Sequence, residues 1–384
     1  MKKMVFINQD VAYLMIDLIN TFVDRGYECV LITGRLVEVK NPLNEKVRID
    51  KIVKYRKDTV FNRIFTWVYS FFQIWYKVIF KYRKEELFIV GNPPLAPLLP
   101  LFCSNGYYQL VFDLDLQRVL DIGFVKKVKP LRILWERIIT KVLSDAKGVF
   151  TITDGMAKIL QQYTIGQQVI VMPLWTTYSD FKPVLRENNS FIKDHHLEDK
   201  FVVMYSGNLG LSSGVEPLLE VANRTKNKNI LFLIVGEGLR KKDLIKKKEE
   251  YRLNNCLFLP WQEPNVLPFS LTSADIAVVS LAGSEANRSI PSKIFNNMAV
   301  GNPILAITSK KSDLATLVEN YDVGRVFESG EIQEITDFID MLSADKEMQL
   351  FYREQSRATA KKFTSSNTNI IVDAVNRNDL QPTT

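Results

Sequence analysis

The chain has 384 residues, 46% hydrophobic and 24% charged, with a formal net charge of +7. That length holds about two domains with their own cores, and that balance excludes intrinsic disorder. Cys29, Cys103 and Cys256 lie far apart without metal-site spacing, which excludes a disulfide scaffold and points to a reducing, cytosolic setting.

The start, MKKMVFINQD, lacks the long apolar core and small-residue cleavage site of a secretion signal. From there, short β-branched runs recur with helical patterns between them. They are KMVFI, YECVLIT, LFIVG, YQLVFD, GVFTIT and VIVMP in the first half, then FVVMYSG, ILFLIVG, CLFLP, DIAVVSL, PILAI and VGRVF. Continuous apolar strands alternating with helices predict parallel sheets covered on both faces. The fold class is therefore α/β, with two doubly wound domains, and the absence of a fixed repeat argues against a solenoid.

Between the second and third of these runs lies FNRIFTWVYSFFQIWYKVIFKYRK, residues 61–84. As a helix, it gathers Asn62, Thr66, Ser70, Gln73, Lys77, Lys81 and Lys84 on one stripe about 100° wide, and apolar groups fill most of the rest. Residues 46–84 carry eleven Lys/Arg against two Asp/Glu, more than the net charge of the whole chain. Aromatic bulk with basic flanks suits an anionic membrane surface, with Phe65, Trp67, Phe71, Trp75, Lys77 and Lys81 as contacts. A nucleic-acid partner is not expected, because no binding motif accompanies the charge. Crossing the bilayer is disfavoured, since it would part KMVFI from LFIVG, which belong to one sheet. A purely structural helix is the remaining alternative.

The polar, nearly strandless stretch 176–200 marks the boundary between a domain over 1–175 and one over 201–359. It contains the only histidines, His195 and His196, read as a solvated pair. A Ser-His-Asp triad or a His-ligated zinc needs imidazoles among other chemical groups, so both chemistries are disfavoured. Past the boundary, FVVMYSGNLGLSSGVEPLLEVA sets Gly207, Gly210 and Gly214 between a strand and a helix. Such a loop lets backbone approach a diphosphate, or simply packs helix on strand. Farther on, SIPSKIFNNMAVGNPILA predicts a helix with Pro291 at its first position and Gly301 as its C-terminal cap. Ser292 and Lys293 then fall in the first turn, where a cation opposes the helix dipole unless an anion shares the site, and Arg288 can add a second charge.

Four stretches in order and spacing carry a family resemblance: YSGNLGLSSGVEPLLEVA, FLIVGEGLRKKDL, NNCLFLPWQEPNVLPFSLTSADIAVVSL and IPSKIFNNMAVGNPILA. The second half resembles the donor-binding domain of GT-B glycosyltransferases, specifically the large retaining family four and its bacterial surface-polysaccharide members. In the first half, FDLDLQRVLDIGF, WERIITKVLSDAKGVFTITDGMAKIL and VMPLWTTYSDFKP are similar to the family's acceptor domain and interdomain crossing. The resemblance implies two Rossmann-like domains facing across a cleft, with the C-terminal helix, about 360–384, packing back on the first. It implies a hexosyltransferase that retains anomeric configuration and uses neither metal nor cofactor. The co-substrate is a nucleotide sugar, UDP ahead of GDP, and the acceptor a lipid-linked saccharide at the cytoplasmic face of the cell membrane.

For the site, the resemblance implies Gly207, Asn208, Gly210, Gly236, Arg240, Gln262, Glu285, Ser292 and Asn296 around the donor, with the base near Leu259 to Gln262. Lys293 and Arg288 would stabilise the leaving diphosphate. Asp113, at the end of YQLVFD, would orient the acceptor hydroxyl or cap a loop, with Asp115 in reserve. Trp261 reads as a packing residue or a neighbour of the base, and Arg240 and Lys241 as phosphate contacts or part of a solvated helix start. The chain departs from the family in having Asn208 and Ser213 where Arg and Lys are frequent, and Asn296 where a glutamate holds ribose. Glu285 is the stand-in. The first strand is followed by Asn8 and Gln9 rather than a glycine-rich turn. Alternatives are a nucleotide-sugar 2-epimerase of the same fold and a catalytically silent binding or scaffold protein.

Overall fold

The computed structural model describes residues 2–38, 41–56, 58–121, 128–176, 183–283 and 290–380. The chain divides into two compact units, Met1–Leu174 with Ser365–Thr384, and Trp175–Thr364.

In the first unit the strands are β1 (Lys3–Ile7), β2 (Asp10–Val11), β3 (Glu28–Thr33), β4 (Arg35–Leu36), β5 (Arg48–Lys51), β6 (Glu86–Val90), β7 (Tyr107–Val111), β8 (Gly148–Thr151) and β9 (Ile170–Val171). Seven form one sheet in the order β5-β3-β1-β6-β7-β8-β9, and β2 pairs with β4 separately. The second unit holds β10 (Phe201–Ser206), β11 (Ile230–Val235), β12 (Cys256–Leu259), β13 (Ile276–Ser280), β14 (Ile304–Ile307) and β15 (Gly324–Phe327). Their order is β12-β11-β10-β13-β14-β15. Pairing between neighbours is parallel in both sheets. All six residues of β10 are buried, as a strand covered on both faces requires. In each sheet the strand order reverses beside the first strand, between β1 and β6 and between β10 and β13. At such switch points the loops leaving the carboxyl ends diverge and open a binding crevice.

One strand of the seven-stranded sheet escaped the apolar pattern, as did the two-residue β2 and β4. β5 reads RIDK, and only Asp50 is buried in it. As the sheet's edge it is protected by charge rather than by apolar cover. Asp50 also explains the orientation of the helix Val60–Phe80. Lys77 Nζ donates to its carboxylate at 2.5 Å, Lys81 Nζ at 2.6 Å and Tyr82 Oη at 2.7 Å. Gln9 Nε2 donates to the Thr66 carbonyl at 3.1 Å, and the backbone of Val53 donates to Gln73 Oε1 at 2.8 Å. The polar stripe of this helix therefore faces the protein, and the aromatic side faces out. Lys77 and Lys81, which the sequence suggests as membrane contacts, are both bonded to a buried carboxylate. Trp67, Phe71 and Trp75 are half-buried, whereas Phe65 is exposed. Asn8 and Gln9 are buried where a glycine-rich turn was the pattern; Gln9 bonds the helix, and Asn8 accepts from the Asp10 N–H at 3.3 Å.

Burial raises the Asp50 pKa, but the hydrogen bonds from Lys77, Lys81 and Tyr82 outweigh it and hold the group at about 2. Its pKa is lower folded than unfolded, so its contribution is complete above about pH 4 and lost as pH falls through about 2. Asp50→Asn leaves Lys77 without its counter-charge and is expected to lower unfolding free energy by about 2 kcal/mol. Urea denaturation at pH 7 and pH 3 measures this, and the gap between variant and parent should narrow at the lower pH.

Residues 183–200 depart from the expected linker by folding into the second unit. Asn189 caps the helix Ser190–Asp194, accepting from the Phe191 N–H at 3.0 Å, and its Nδ2 donates to the Phe269 carbonyl at 2.8 Å. Phe191, Ile192 and Leu197 are buried with Leu271. Two apolar residues in so short a helix, with Leu197 just beyond it, give too little periodicity to reveal this from sequence. The His195 ring packs against Phe191 at 4.4 Å rather than standing in solvent. At the other end of the chain, the helix Thr368–Leu380 belongs to the first unit. Tyr27 donates to Asn376 there at 2.6 Å, and Arg25 to Asn369 at 2.7 Å.

Candidate active site

The switch point of the second unit brings together three loops. After β10, the chain continues its ladder beyond the strand proper: Gly207 N–H donates to the Val235 carbonyl at 2.9 Å and Leu209 N–H to that of Glu237 at 2.8 Å. This approach requires glycine on the β11 side. A Cβ on Gly236 would lie 1.9 Å from the Gly207 carbonyl oxygen, and one on Gly238 would lie 2.4 Å from that of Leu209. Both glycines have φ of 152°, where other residues are strained. On the other flank, Ser280 at the end of β13 donates to the Ser213 carbonyl, and Ala282 N–H donates to the Ser212 carbonyl at 3.1 Å. Ser213 is a strut inside this loop, its hydroxyl donating to the Gly210 carbonyl at 2.7 Å.

The helix Lys293–Val300 meets this loop at Gly207. It begins two residues after Pro291, and Gly301 closes it in the left-handed region at φ 83°. Ser292 is exposed and makes no side-chain cap. Lys293 passes its ammonium over the Tyr205 ring, 3.7 Å from the centroid. A Cβ on Gly207 would stand 2.7 Å from Lys293 Nζ, so the missing side chain there makes room for the ammonium. Tyr205 also donates its hydroxyl to the Asn208 carbonyl at 2.8 Å and stays protonated because burial raises its pKa. It supports both cation and loop, and no spacing rule in the sequence singles it out.

Burial pushes the Lys293 pKa down to about 7, with no carboxylate beside it among the described residues. The helix dipole opposes the cation as well. A cation held at this cost at a helix start, beside a backbone loop, suits an anion such as a diphosphate, which repays the lost solvation.

Residues 187–359 match the family model described as Glycosyl transferases group 1. They form a glycosyltransferase group 1 domain, and the chain is a glycosyltransferase. Over 283 residues it is 25% identical to the probable glycosyltransferase WbjE of Pseudomonas aeruginosa, covering 71% of this chain and 70% of that protein. It is 28% identical over 240 residues to the putative colanic acid biosynthesis glycosyl transferase WcaI of Escherichia coli K12, spanning 58% of each, less than two thirds of the relative. The crystal structure of Anabaena Alr3699/HepE in complex with UDP superposes with a TM-score of 0.74 over 98% of this chain and all of that one, at 14% identity. That likeness establishes the GT-B fold.

Within this glycosyltransferase, the remaining candidates fall as follows. Asn208 is exposed on the loop, and Gly210 lies beside its carboxamide. Arg240 is held by Glu216 at 2.7 Å and Lys241 by Glu237 at 2.5 Å, so neither is the unpaired phosphate contact that the sequence allows. Gln262 donates to the Pro260 carbonyl at 3.0 Å. Trp261, beyond the carboxyl end of β12, is 53% exposed and so is not a packing residue of this unit. The Asn296 carboxamide oxygen accepts a hydrogen bond from Thr176, a partner that lies 120 residues away and that sequence reading missed. Glu285 and Arg288 lie outside the described residues. In the first unit, Asp113 is exposed two residues past β7, and Asp115 begins a short helical turn.

Proposed function

We propose that this glycosyltransferase is a retaining enzyme of family four. It moves a sugar from a nucleotide diphosphate sugar, UDP ahead of GDP, to a lipid-linked saccharide in surface polysaccharide synthesis. The observation that carries the reading is the Lys293 ammonium, desolvated between Gly207 and Tyr205 at the switch point. In this role Lys293 and the 293–300 helix start hold the leaving diphosphate, supplying charge that a metal supplies in other transferases. Asn208 and Gly210 bring backbone to the diphosphate, Trp261 offers a face beside the base, and the free amide nitrogen of Asn296 serves ribose in place of the family's glutamate. Asp113 orients the acceptor hydroxyl.

Support for a UDP donor comes from Anabaena HepE, whose solved complexes include UDP-glucose. The polysaccharide setting is supported by the WcaI relative's description. For the membrane-borne acceptor, the support is the aromatic outer side of the 60–80 helix; no helix among the described residues is long and apolar enough to cross a membrane. The 2-epimerase alternative needs acids and histidines at the site. The two histidines instead line a cavity of about 490 Å³ with Lys200, Leu231 and Cys256, at the amino-terminal ends of the strands.

A thermal-shift series with UDP, GDP and their sugars, followed by turnover in excess EDTA, tests the reading. UDP is expected to raise the melting temperature more than GDP, with turnover undiminished by the chelator. No shift with any nucleotide would leave a silent scaffold as the reading, and loss of activity in EDTA would remove the metal-independent mechanism.

A further inference from the structure

The helix Val60–Phe80 shows outward the side that an amphipathic helix ordinarily buries. Phe61, Phe72 and Phe80 are 75%, 57% and 70% exposed, and Phe65 and Tyr76 fill the turns between them. The two charged residues within the helix, Arg63 and Lys77, fall on the opposite half of the wheel at about 100° per residue. What remains is an uncharged aromatic band about 30 Å long. It widens through Phe102, itself 56% exposed, whose ring meets Phe71 edge-on at 6.2 Å, while Trp75 Nε1 donates to the Phe102 carbonyl at 3.4 Å. Exposed cations stand near both ends, Arg63 at the start and Arg83 and Lys84 beyond the finish.

Charge selects the occupant. Residues 46–84 carry a surplus of nine positive charges, eleven Lys/Arg less two Asp/Glu. A second copy on this band would bring two such surpluses together, at a repulsive cost. An anionic bilayer meets both features at once, taking the aromatic band into its interfacial zone and the cations at its headgroups.

We infer that this glycosyltransferase attaches to an anionic membrane by laying the Phe61–Phe80 band and Phe102 into the bilayer interface, with the helix axis along the surface. Apolar insertion carries the affinity and the flanking cations steer. Lys77 and Lys81 take no part, since Asp50 holds them. The inference rests on the proposed membrane-borne acceptor and names the surface by which it is reached.

The test is co-sedimentation of the full chain with vesicles of roughly equal parts phosphatidylcholine and phosphatidylglycerol, at low and high salt. The parent is expected to sediment in both, and Phe61→Ser/Phe72→Ser/Phe80→Ser to lose at least about tenfold in partitioning. Equal sedimentation of parent and variant would overturn the inference, as would complete release of the parent by salt. A dimer that the triple substitution disperses, without vesicle binding, would assign the band to self-association instead. Nucleotide-sugar hydrolysis in solution separates the two claims. The variant should retain it, whereas its absence from parent and variant alike would remove the transferase reading and leave the vesicle result standing.

Discussion

Lys293→Met is expected to lower nucleotide-sugar turnover by about 10²–10³-fold while leaving the fold no less stable, because the side chain serves the ligand at the fold's expense. Its pKa is about 7 when folded against 10.5 for an ordinary lysine. Between those values the unfolded chain binds the proton and the folded chain does not, so stability rises with pH across that window. Below about pH 7 the group exacts its full cost, at most about 5 kcal/mol. Methionine keeps the length and removes the charge, so the variant should melt higher than the parent at pH 6 and lose that pH slope. A bound diphosphate reverses the sign. It favours the ammonium, so donor binding takes up a proton and weakens as pH rises from 7 to 9. The diphosphate of a nucleotide sugar does not titrate there, so calorimetry in buffers of different ionisation enthalpy reads the uptake, and its loss in Lys293→Met assigns it to Lys293. A parent that binds UDP-glucose without proton uptake at pH 8, or a variant that melts lower at pH 6, would sink this account of the site.

Gly236→Ala should be the most damaging single methyl group at the candidate site. Its Cβ would stand 1.9 Å from the Gly207 oxygen and 3.0 Å from the Gly207 carbonyl carbon, both backbone atoms that cannot swing aside. Strain at φ 152° adds to the clash. The β11 loop must then move away from the β10 loop, breaking the Gly207 to Val235 and Gly236 to Leu259 hydrogen bonds and shifting the backbone on which Lys293 rests. Destabilisation of about 3 kcal/mol or more is expected, together with loss of the nucleotide-induced thermal shift. Gly330→Ala is the control, since nothing lies within 4 Å of a Cβ there. Equal melting temperatures for the two variants would show that the loops do not depend on this close approach.

Most of the fold was legible because its strands are continuous apolar runs, which parallel sheets require and few other structures tolerate. β5 was hidden because an edge strand with one buried side chain needs no apolar run. The helix at 190–194 was hidden because its two apolar anchors are adjacent and show no helical period. For the candidate site, the loop glycines and Lys293 were legible, since positive φ, close backbone approach and a misplaced cation each restrict residue type. Tyr205 and Thr176 were not, because a ring under an ammonium and a hydroxyl on a carboxamide depend on contacts between distant segments. The ion pairs that occupy Arg240 and Lys241 were hidden for the same reason.

By itself the sequence determined the class of fold, the two nucleotide-binding-like sheets and the cation at the start of the 293–300 helix. Strand composition, helix punctuation and dipole arguments are local, and each acts within a few residues. Only the tertiary structure decided which side of the aromatic helix faces outward. Periodicity draws the two stripes on that helix but carries no sign, and a single buried carboxylate, Asp50, turned the lysines inward and the aromatic rings out.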